Sequence, residues 1–393
     1  MTMDLTFLGT GSAYPSPGRG ASALVLRTEG ECWLFDCGEG TQTQIMKSQL
    51  RASEYRSWGP AVPVGPHDIT VNRVLVPPGR ITKVFISHLH GDHLFGLPGL
   101  LCTVSLQTSP GPPPGPGPPP GPGPPHLPRL DIYGPPGLRK YLRVSLVHEL
   151  ETLPDQSPPE GQLSCEVTAA CGPLHPQEQQ GRSVPLDVSS DCYLLFEDKR
   201  FVVKAFRLFH RIPSFGFCVQ EQDRPGRLNT ELLKKLGLHP GPLYGRLKAG
   251  EAVTLEDGRV LLSSDAMEKP VPGRKICIFG DCSSVVGEGP LKVCQGADIL
   301  VHEATLADEQ QEKAVDHGHS TPRMAAAVAR ACGARRLVLY HFSQRYKPSA
   351  LQRDGDDDDV LTLRRQAEDA LQGSAVDVTL AEDFLTLEIP LKR

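Results

Sequence analysis

The chain has 393 residues, of which 39% are hydrophobic and 22% charged, which fits a globular protein with one large core or two smaller ones. Its formal net charge of −5 argues against a nucleic-acid binder that is basic overall, although a local basic patch would be enough for binding. The sequence shows no signal-peptide pattern and no apolar run near the roughly 18 residues of a membrane span, so we expect neither.

Apolar or alternating segments that end on turn residues predict β-strands along most of the chain. In chain order they are DLTFLGTGS, SALVLRTEG, ECWLFDCGEGTQ, ITKVFISHLH, CYLLFE, RFVVKAFRL, FGFCVQ, RKICIFGD, ADILVHEA, RRLVLYHF and DFLTLEIPL. Helices are predicted at LFGLPGLLCTVSLQ and at residues 230–236, 308–316, 321–332 and 359–371. Because strands dominate, we expect packed sheets covered by helices, in a single domain over residues 1–393.

Two segments depart from this pattern. Residues 110–125 are Pro or Gly at every position, and residues 52–78 show no clean apolar period. A Pro/Gly tract cannot build a packed core, and an aperiodic segment presents no apolar face. We therefore predict unpacked loops at residues 52–78 and 108–128.

The 11 cysteines are scattered and show no paired Cys-x-x-Cys zinc pattern. This spacing favours reduced, mostly buried thiols over disulfides. It predicts a protein of the cytosol, the nucleus or both, where thiols stay reduced.

The stretch SHLHGDHLFG, residues 87–96, carries the strongest chemical signal. His88 and His90 lie two residues apart at the end of a predicted strand, so both side chains can point at one ion. Asp92 and His93 follow Gly91 and can hold a second ion. Imidazole and carboxylate ligands favour zinc over manganese or iron.

Two ions need more ligands than this stretch supplies. Further candidates are His148 in VHEL, Asp281 in IFGDCSS and His341 in VLYHFSQRY, at the ends of later strands. A carboxylate such as Asp281 could bridge two ions. Taken alone, His148 or His341 could equally be an ordinary half-buried histidine.

Several motifs together resemble the ribonuclease Z family, the tRNA 3′-processing endoribonucleases of the metallo-β-lactamase superfamily. They are FLGTGSAYPSPGRGAS, FDCGEGTQ, SHLHGDHLFGLPGLL, VHEATL, HGHSTP and HFSQRY. The HxHxDH pattern alone would indicate only the superfamily, whereas its combination with HGHST and HFSQRY is specific. The resemblance runs from residue 3 to near residue 392 and implies an α/β fold, a four-layer αββα sandwich.

The resemblance also implies two zinc ions per chain. The expected ligands are His88, His90 and His148 for one ion and Asp92, His93 and His341 for the other, with Asp281 bridging. Asp36 in FDCGEG is expected to fix the metal loop through hydrogen bonds, although it could be a plain turn aspartate.

The implied reaction is hydrolysis of precursor tRNA after the discriminator base. Water attacks phosphorus in line while the two ions stabilise the added negative charge, leaving a 3′-hydroxyl on the tRNA and a 5′-phosphate on the trailer. Asp92 is the expected general base, and His319 of HGHST the proton donor or phosphate-side stabiliser near the leaving 3′ oxygen. Glu303 of HEAT is expected to orient His319, although it could be a buried structural carboxylate.

Residues 224–250 hold six basic residues against one acidic residue, a local charge of +5. The basic residues are Arg224, Arg227, Lys234, Lys235, Arg246 and Lys248. Such residues can bind phosphates without reading sequence, although a charged solvated surface would look the same. GPLYGRLKAG resembles the exosite arm of the family, which implies a flexible basic arm over residues 222–250 and a homodimer that binds precursor tRNA. Arg19 in SPGRGAS could also meet a phosphate.

One departure from the family lies between IYGPPGLRKYL and VHEL, where only RVSL separates the two. The family has a longer helix and a further strand there, so the position of His148 is open. Two alternatives therefore remain. One is another hydrolase of the superfamily that acts on a small phosphodiester, thioester or lactone, and the other is a catalytically impaired isoform that only binds tRNA.

Overall fold

Two β-sheets face each other at the centre of the protein. The computed structural model describes residues 2–48, 81–107, 130–146, 182–255, 257–348, 351 and 359–392. The two predicted insert loops, at residues 52–78 and 108–128, lie outside these segments.

In the described segments, the first sheet has six strands. In spatial order they are β16 (Thr386–Glu388), β1 (Asp4–Gly9), β2 (Ala23–Arg27), β3 (Cys32–Phe35), β4 (Ile81–Phe85) and β5 (Asp131–Tyr133). Strands β16, β1, β2 and β3 pair antiparallel, whereas β3, β4 and β5 pair parallel. The carboxyl ends of β3 and β4 therefore lie side by side at one edge of the sheet.

The second sheet has eight strands among the residues that the structure describes. They are β6 (Tyr193–Glu197), β7 (Phe201–Phe209), β8 (Ser214–Glu221), β11 (Lys275–Ile278), β12 (Ser284–Val285), β13 (Ile299–Glu303), β14 (Arg336–Tyr340) and β15 (Asp377–Leu380). Strand β8 pairs antiparallel with both β7 and β11, and β11, β13 and β14 run parallel. The carboxyl ends of β7, β11, β13 and β14 therefore share one edge.

Residue alternation explains why both faces of these sheets are buried. In β2, Leu24 and Leu26 pack between the two sheets, while Ala23 and Val25 pack under helices on the outer face. Successive strand side chains point to opposite faces, so an apolar run buries both faces at once.

Helices cover both outer faces. On the first sheet they are α1 (Thr41–Lys47), α2 (Gly91–Leu94), α3 (Leu97–Gln107) and α4 (Leu138–Leu146). On the second they are α8 (Gly289–Val293), α9 (Gln311–Asp316), α10 (Pro322–Ala331) and α11 (Val360–Ala370), with a 3₁₀ turn at Asp308–Gln310 before α9. The layers follow the order helix, sheet, sheet, helix, so the predicted αββα sandwich is confirmed.

A small lobe is inserted between β8 and β11. It contains α5 (Thr230–Lys235), α6 (Pro242–Lys248), β9 (Val253–Thr254), β10 (Val260–Leu261) and α7 (Ser263–Ala266). Its own apolar core includes Leu233 and Leu247, both fully buried. Isolated bridges join Arg224 to Val271 and Leu228 to Met267, so the lobe continues to residue 271, beyond the predicted end at residue 250.

In the described segments, no helix has the length and apolar character that crossing a membrane requires. The nine cysteines in these segments are free thiols, and all but Cys102 are buried. Burial of most thiols agrees with the expectation from their spacing.

Candidate metal centre

The edges of the two sheets meet where four strands end in metal-binding residue types. His88, His90, Asp92 and His93 follow β4, and their loop is fixed to the second sheet by the Phe215 N–H, which donates to the Ser87 carbonyl at 3.1 Å. His210 follows β7, Asp281 follows β11 and His341 follows β14. The sheet order described above therefore brings these residues together from distant parts of the sequence.

The first ligand set is His88, His90, His210 and Asp281. Nδ1 of His90 lies 3.1 Å from Nε2 of His88 and 3.2 Å from Nε2 of His210. Oδ2 of Asp281 lies 3.6 Å from Nε2 of His88. Three imidazoles and one carboxylate oxygen thus converge on one point.

The second ligand set is Asp92, His93 and His341. Nε2 of His93 lies 3.2 Å from Nε2 of His341, and Oδ2 of Asp92 lies 3.4 Å from the latter atom. Oδ1 of Asp281 lies 3.3 Å from Nε2 of His93 and 3.4 Å from Nε2 of His341. The two oxygens of Asp281 therefore face different sets, which is the arrangement of a bridging carboxylate.

These distances fit zinc. Ligand nitrogens about 2.0–2.1 Å from a tetrahedral zinc lie about 3.3 Å from one another, close to the spacing of the imidazole nitrogens here. Oδ1 of Asp281 is buried and lacks a hydrogen-bond donor among the described residues. A buried carboxylate oxygen without a donor is costly unless a cation binds it, so the donor set and its charge both suit a metal.

Hydrogen bonds on the far side of the ring orient three of the histidines. Nδ1 of His88 lies 2.9 Å from Oγ of Ser87, and Nδ1 of His341 lies 3.0 Å from Oγ1 of Thr305. Nδ1 of His210 lies 2.7 Å from the Gly318 carbonyl. These partners occupy Nδ1 and leave Nε2 of each ring free for a metal.

Asp36 holds the fourth ring in the same way. Its Oδ2 lies 2.8 Å from Nδ1 of His93, and it accepts hydrogen bonds from the Ser87 backbone N–H at 2.7 Å and the Ser87 hydroxyl at 2.8 Å. Asp36 has a left-handed φ of 56°, which a non-glycine residue adopts only when its surroundings hold it. Asp36 is therefore built into the metal loop.

Electrostatics favour the metal-binding forms of His88 and Asp92, whereas the carboxylates of Asp281, Asp92 and Asp36 outweigh burial and raise the pKa of His93 well above its usual value. Burial, followed by repulsion from His93, lowers the pKa of His88 well below its usual value, so this ring is neutral. Burial raises the pKa of Asp92, but the neighbouring His93 and His341 outweigh it and hold that pKa below the usual range. A neutral imidazole and an ionised carboxylate are the forms that bind metal.

His319 lies beside the ligand sets. Its Nδ1 is 3.0 Å from Oε1 of Glu303 and 3.7 Å from Oδ2 of Asp281. Burial lowers the pKa of His319, but Glu303 and then Asp281 outweigh this and raise it to about 9. His319 is therefore protonated at neutral pH and can donate a proton.

The structure brings together six of the seven predicted ligands, namely His88, His90, Asp92, His93, Asp281 and His341. The seventh, His148, lies outside the described residues. His210 occupies the third imidazole position, and we assign that position to it in place of His148. The sequence signal for His210 was present, because it comes directly after the predicted strand RFVVKAFRL and Phe209, much as His341 stands near the end of the predicted strand RRLVLYHF.

The prediction that Arg19 contacts RNA is wrong in this structure. Arg19 is only 2% exposed, and its guanidinium donates to Oγ1 of Thr10 at 2.8 Å and to the Tyr346 carbonyl at 3.2 Å. It also lies over the ring of Phe342, 4.8 Å from its centroid. The loop that carries Arg19 folds back onto the sheet, so this arginine binds the protein itself.

The six basic residues predicted on the arm all lie on the lobe or at its root. Arg227, Lys234, Lys235, Arg246 and Lys248 are exposed. Arg224 is half-buried at the root, where it donates to the Lys392 carbonyl at 2.6 Å. Arg246 and Lys234 have acidic neighbours, Glu251 at 2.8 Å and Glu231 at 3.6 Å.

Comparison with known proteins gives consistent matches over the whole chain. The Metallo-beta-lactamase superfamily matches residues 16–102, and the Beta-lactamase superfamily domain matches residues 266–342. The chain is 53% identical to "Zinc phosphodiesterase ELAC protein 1" of Homo sapiens, with 100% of each sequence covered. It is 36% identical to "Ribonuclease Z" of Crocosphaera subtropica, with 99% of this chain and 98% of that protein covered.

A solved structure agrees with these sequence matches. The crystal structure of human tRNase Z, short form, superposes with a TM-score of 0.57 at 42% identity. The match covers 99% of this chain and 100% of that one. The similarity therefore extends over nearly the whole of both chains.

Proposed function

This chain belongs to the ribonuclease Z family of the metallo-β-lactamase superfamily, and we propose that it is an endoribonuclease that removes the 3′ trailer from precursor tRNA. The observation that carries the proposal is the pair of ligand sets that share Asp281, with the proton donor His319 beside them. This arrangement suits hydrolysis of a phosphodiester.

We propose that two zinc ions bind per chain. His88, His90 and His210 would hold one, and Asp92, His93 and His341 the other, with Asp281 between them. When bound, the ions would supply Lewis-acid polarisation and neutralise the charge that builds up on the phosphodiester.

The chain's own residues would move the protons. Asp92 is ionised and faces the centre of the second set, so it can accept a proton from the attacking water. The water oxygen bonds to phosphorus, the bond from phosphorus to the 3′ oxygen breaks, and His319 protonates that oxygen. Glu303 keeps His319 charged and oriented.

The lobe would bind the body of the tRNA. Its exposed cations can contact backbone phosphates without reading sequence. Because the lobe has its own core, it can present these cations on a defined surface. Folded RNA is recognised largely by shape, and a separate binding lobe suits that task.

The resemblance to ribonuclease Z further favours a homodimer in which the lobe of one subunit serves the metal centre of the other. A mixing experiment tests this. One subunit type carries His341→Ala, and the other carries Lys234→Glu, Lys235→Glu and Lys248→Glu. If the lobe acts in trans, mixed dimers cleave precursor tRNA better than either parent, whereas action within one subunit leaves the mixture no better than the parents.

The thiol-rich core favours a location in the cytosol, the nucleus or both. Imaging of a tagged chain tests this, and secretion of the tagged chain would contradict it.

The central experiment is incubation with a 3′-extended precursor tRNA, alongside Asp92→Ala and His341→Ala. We expect the wild type to release the trailer and leave a 3′-hydroxyl, and the two variants to lose at least about 100-fold in rate. If wild type and variants cleave equally, the proposal fails. Hydrolysis of bis(p-nitrophenyl) phosphate without tRNA cleavage would instead indicate another hydrolase of the superfamily.

Zinc content separates the enzyme from an impaired tRNA-binding isoform. That alternative depended on the open position of His148, and His210 now completes the first ligand set without it. We expect two zinc ions per chain by elemental analysis. One ion or none would favour the impaired isoform.

A further inference from the structure

One turn of backbone outside the ligand sets reaches the metal centre. The backbone N–H of Ala13 donates to Oδ2 of Asp92 at 2.7 Å. The same oxygen faces Nε2 of His341 at 3.4 Å and Nε2 of His93 at 3.6 Å. The hydrogen bond from Ala13 therefore fixes the oxygen with which Asp92 would bind the second ion.

The turn that presents this N–H is strained. Ala13 has a φ of 67°, in the left-handed region that favours glycine. The N–H of Tyr14 donates to the Ser12 carbonyl at 2.9 Å, which closes a γ-turn of the rare positive-φ kind around Ala13. Such a turn persists only where neighbouring contacts hold it.

Gln344 supplies contacts at both ends of the turn. Its Nε2 donates to the Tyr14 carbonyl at 2.6 Å and to the Ser12 carbonyl at 3.2 Å. Gly11 makes room for this amide, since a Cβ atom at Gly11 would lie 2.5 Å from Nε2 of Gln344. The side chain of Gln344, in the loop that follows His341, thus links the two ends of the turn.

A second contact ties the turn to the same loop. The Ser12 N–H donates to the Phe342 carbonyl at 3.0 Å. Phe342 follows His341, which itself has a left-handed φ of 58°. The turn at Ala13 and the ligand His341 are therefore held by one connected set of hydrogen bonds.

We propose that Gln344 is a positioning residue of the metal centre. By bridging the carbonyls of Ser12 and Tyr14, it holds the strained turn at Ala13 and through it the ligand oxygen of Asp92. Its effect falls on the second ion and on the rate, and the binding of RNA is spared. The inference rests on the proposed two-metal function.

The test uses Gln344→Met, which keeps the side-chain length and removes the two donated hydrogen bonds. We expect calorimetric titration to show that the zinc affinity of the weaker-binding step falls about 10-fold or more, while that of the other step is unchanged. Loss of a residue that holds a metal ligand in place typically lowers metal affinity by this factor. For precursor tRNA, kcat should fall while KM stays the same. Gln372→Met, at an exposed glutamine in the turn that follows α11, is the matched control.

A second variant separates positioning from general stability. Glycine adopts a positive φ without strain, so Ala13→Gly in the Gln344→Met background should restore much of the lost zinc affinity. If Gln344 had a purely structural role, Ala13→Gly would cause a further loss of zinc affinity, because glycine makes the chain more flexible. Three outcomes would each overturn the inference. They are unchanged zinc affinity in Gln344→Met, an equal loss of affinity in both binding steps, and no restoration of affinity by Ala13→Gly.

This titration contains no RNA, so its outcome is separate from that of the cleavage assay. If the wild type fails to cleave precursor tRNA, the proposed function fails while the effect on zinc can still be measured. If the wild type cleaves and Gln344→Met binds zinc normally, only the role of Gln344 is overturned.

Discussion

Glu303 connects His319 to the loop that carries Asp281. Oε1 of Glu303 lies 3.0 Å from Nδ1 of His319 and accepts the Cys282 backbone N–H at 2.7 Å. The position of His319 and that of the loop that carries Asp281 are therefore both held by one buried carboxylate. This coupling makes the role of His319 testable in two ways.

His319→Ala should lower kcat for precursor tRNA by about 10²–10⁴-fold, because the 3′ oxygen is a poor leaving group without a proton. The same variant should hydrolyse bis(p-nitrophenyl) phosphate almost as fast as the wild type, since nitrophenolate leaves without protonation. Steady-state kinetics on both substrates measure this difference. An equal loss on both would mean that His319 acts on something other than the leaving group.

Glu303→Gln should move the alkaline limb of the kcat profile to lower pH. In the wild type, Glu303 and Asp281 raise the pKa of His319 to about 9, so the donor keeps its proton at neutral pH. Removing the negative charge of Glu303 lowers that pKa, and the protonated form is then lost at a lower pH. Bound zinc is present in both enzymes, so it leaves the direction of this pH shift unchanged. An alkaline limb that stays at the same pH in Glu303→Gln would contradict the pairing of Glu303 with His319.

His210→Ala and His148→Ala distinguish the two candidates for the third imidazole. We expect His210→Ala to lose one zinc ion and at least about 100-fold in kcat, because Nε2 of His210 belongs to the first ligand set. His148→Ala should keep both zinc ions and nearly full activity. Elemental analysis and cleavage assays on the purified variants check this, and the reverse pattern would restore His148 as the ligand.

Leu233→Ala should impair tRNA recognition without harming the metal centre. Leu233 is fully buried in the lobe core, where a change from leucine to alanine costs about 2–5 kcal/mol. We expect hydrogen exchange to speed up within residues 224–271 and KM for precursor tRNA to rise. Hydrolysis of bis(p-nitrophenyl) phosphate should stay unchanged.

Leu361→Ala is the matched control for this variant, because Leu361 is partly exposed on α11, which is not part of the lobe. It should leave both substrates unaffected. A loss of small-substrate hydrolysis in Leu233→Ala would mean that the lobe core supports the metal centre directly.

The buried pair of Glu221 and Arg274 should make stability depend on pH. Burial raises the pKa of Glu221, but hydrogen bonds from Arg274 outweigh this and hold the pKa below its ordinary value. Its contribution to the free energy of unfolding is therefore fully present above about pH 4.3 and is lost as the pH falls through the folded-state pKa. Glu221→Gln removes this contribution.

Denaturant unfolding of wild type and Glu221→Gln at several pH values measures the effect. At pH 7 we expect the variant to be less stable by about 3 kcal/mol, since it removes the carboxylate charge that faces the buried Arg274 guanidinium. Below about pH 4.3 the difference should shrink. Zinc release in acid affects both proteins, so it cancels in the difference between their free energies of unfolding. If that difference stays constant with pH, the ion pair between Glu221 and Arg274 is contradicted.

Local sequence patterns were sufficient to predict most of the sandwich. Strands such as RRLVLYHF and ADILVHEA are short apolar runs bounded by turn residues, and the structure has β14 and β13 there. The helix predicted at residues 321–332 is α10, with Thr321 at the N-cap position and Pro322 in the first turn. Short elements such as β9 and β10 have too few residues to show a period.

The third imidazole could not be chosen from the sequence alone. SLVH and RLFH both place a histidine after apolar residues, so neither His148 nor His210 stands out locally. The choice depends on which strand ends at the same edge of the second sheet as β11, and that is a property of sheet order. The antiparallel pairing of β8 with both β7 and β11 is what carries His210 to the metal centre.

Arg19 shows a second limit of prediction from local sequence patterns. A Gly/Pro loop with one arginine predicts an exposed cation, yet the loop closes onto residues near position 346 and position 381. Those contacts join segments more than 300 residues apart in the chain, and no local pattern reports them. The extent of the lobe was underestimated for the same reason, since its root pairs Arg224 with Val271.

The insertion point of the lobe has a consequence for how such enzymes can diversify. Strands β8 and β11 are already paired, with Gln220 opposite Lys275 and the Glu221 N–H donating to the Arg274 carbonyl at 2.8 Å. In topological terms residues 222–273 are therefore the connection of one β-hairpin. A short turn or a lobe of another shape could replace these residues. The sheet would keep its register, and the edge that carries the metal centre would keep its geometry. In the proposed function, tRNA recognition therefore lies in a segment that can be exchanged without changing the metal centre.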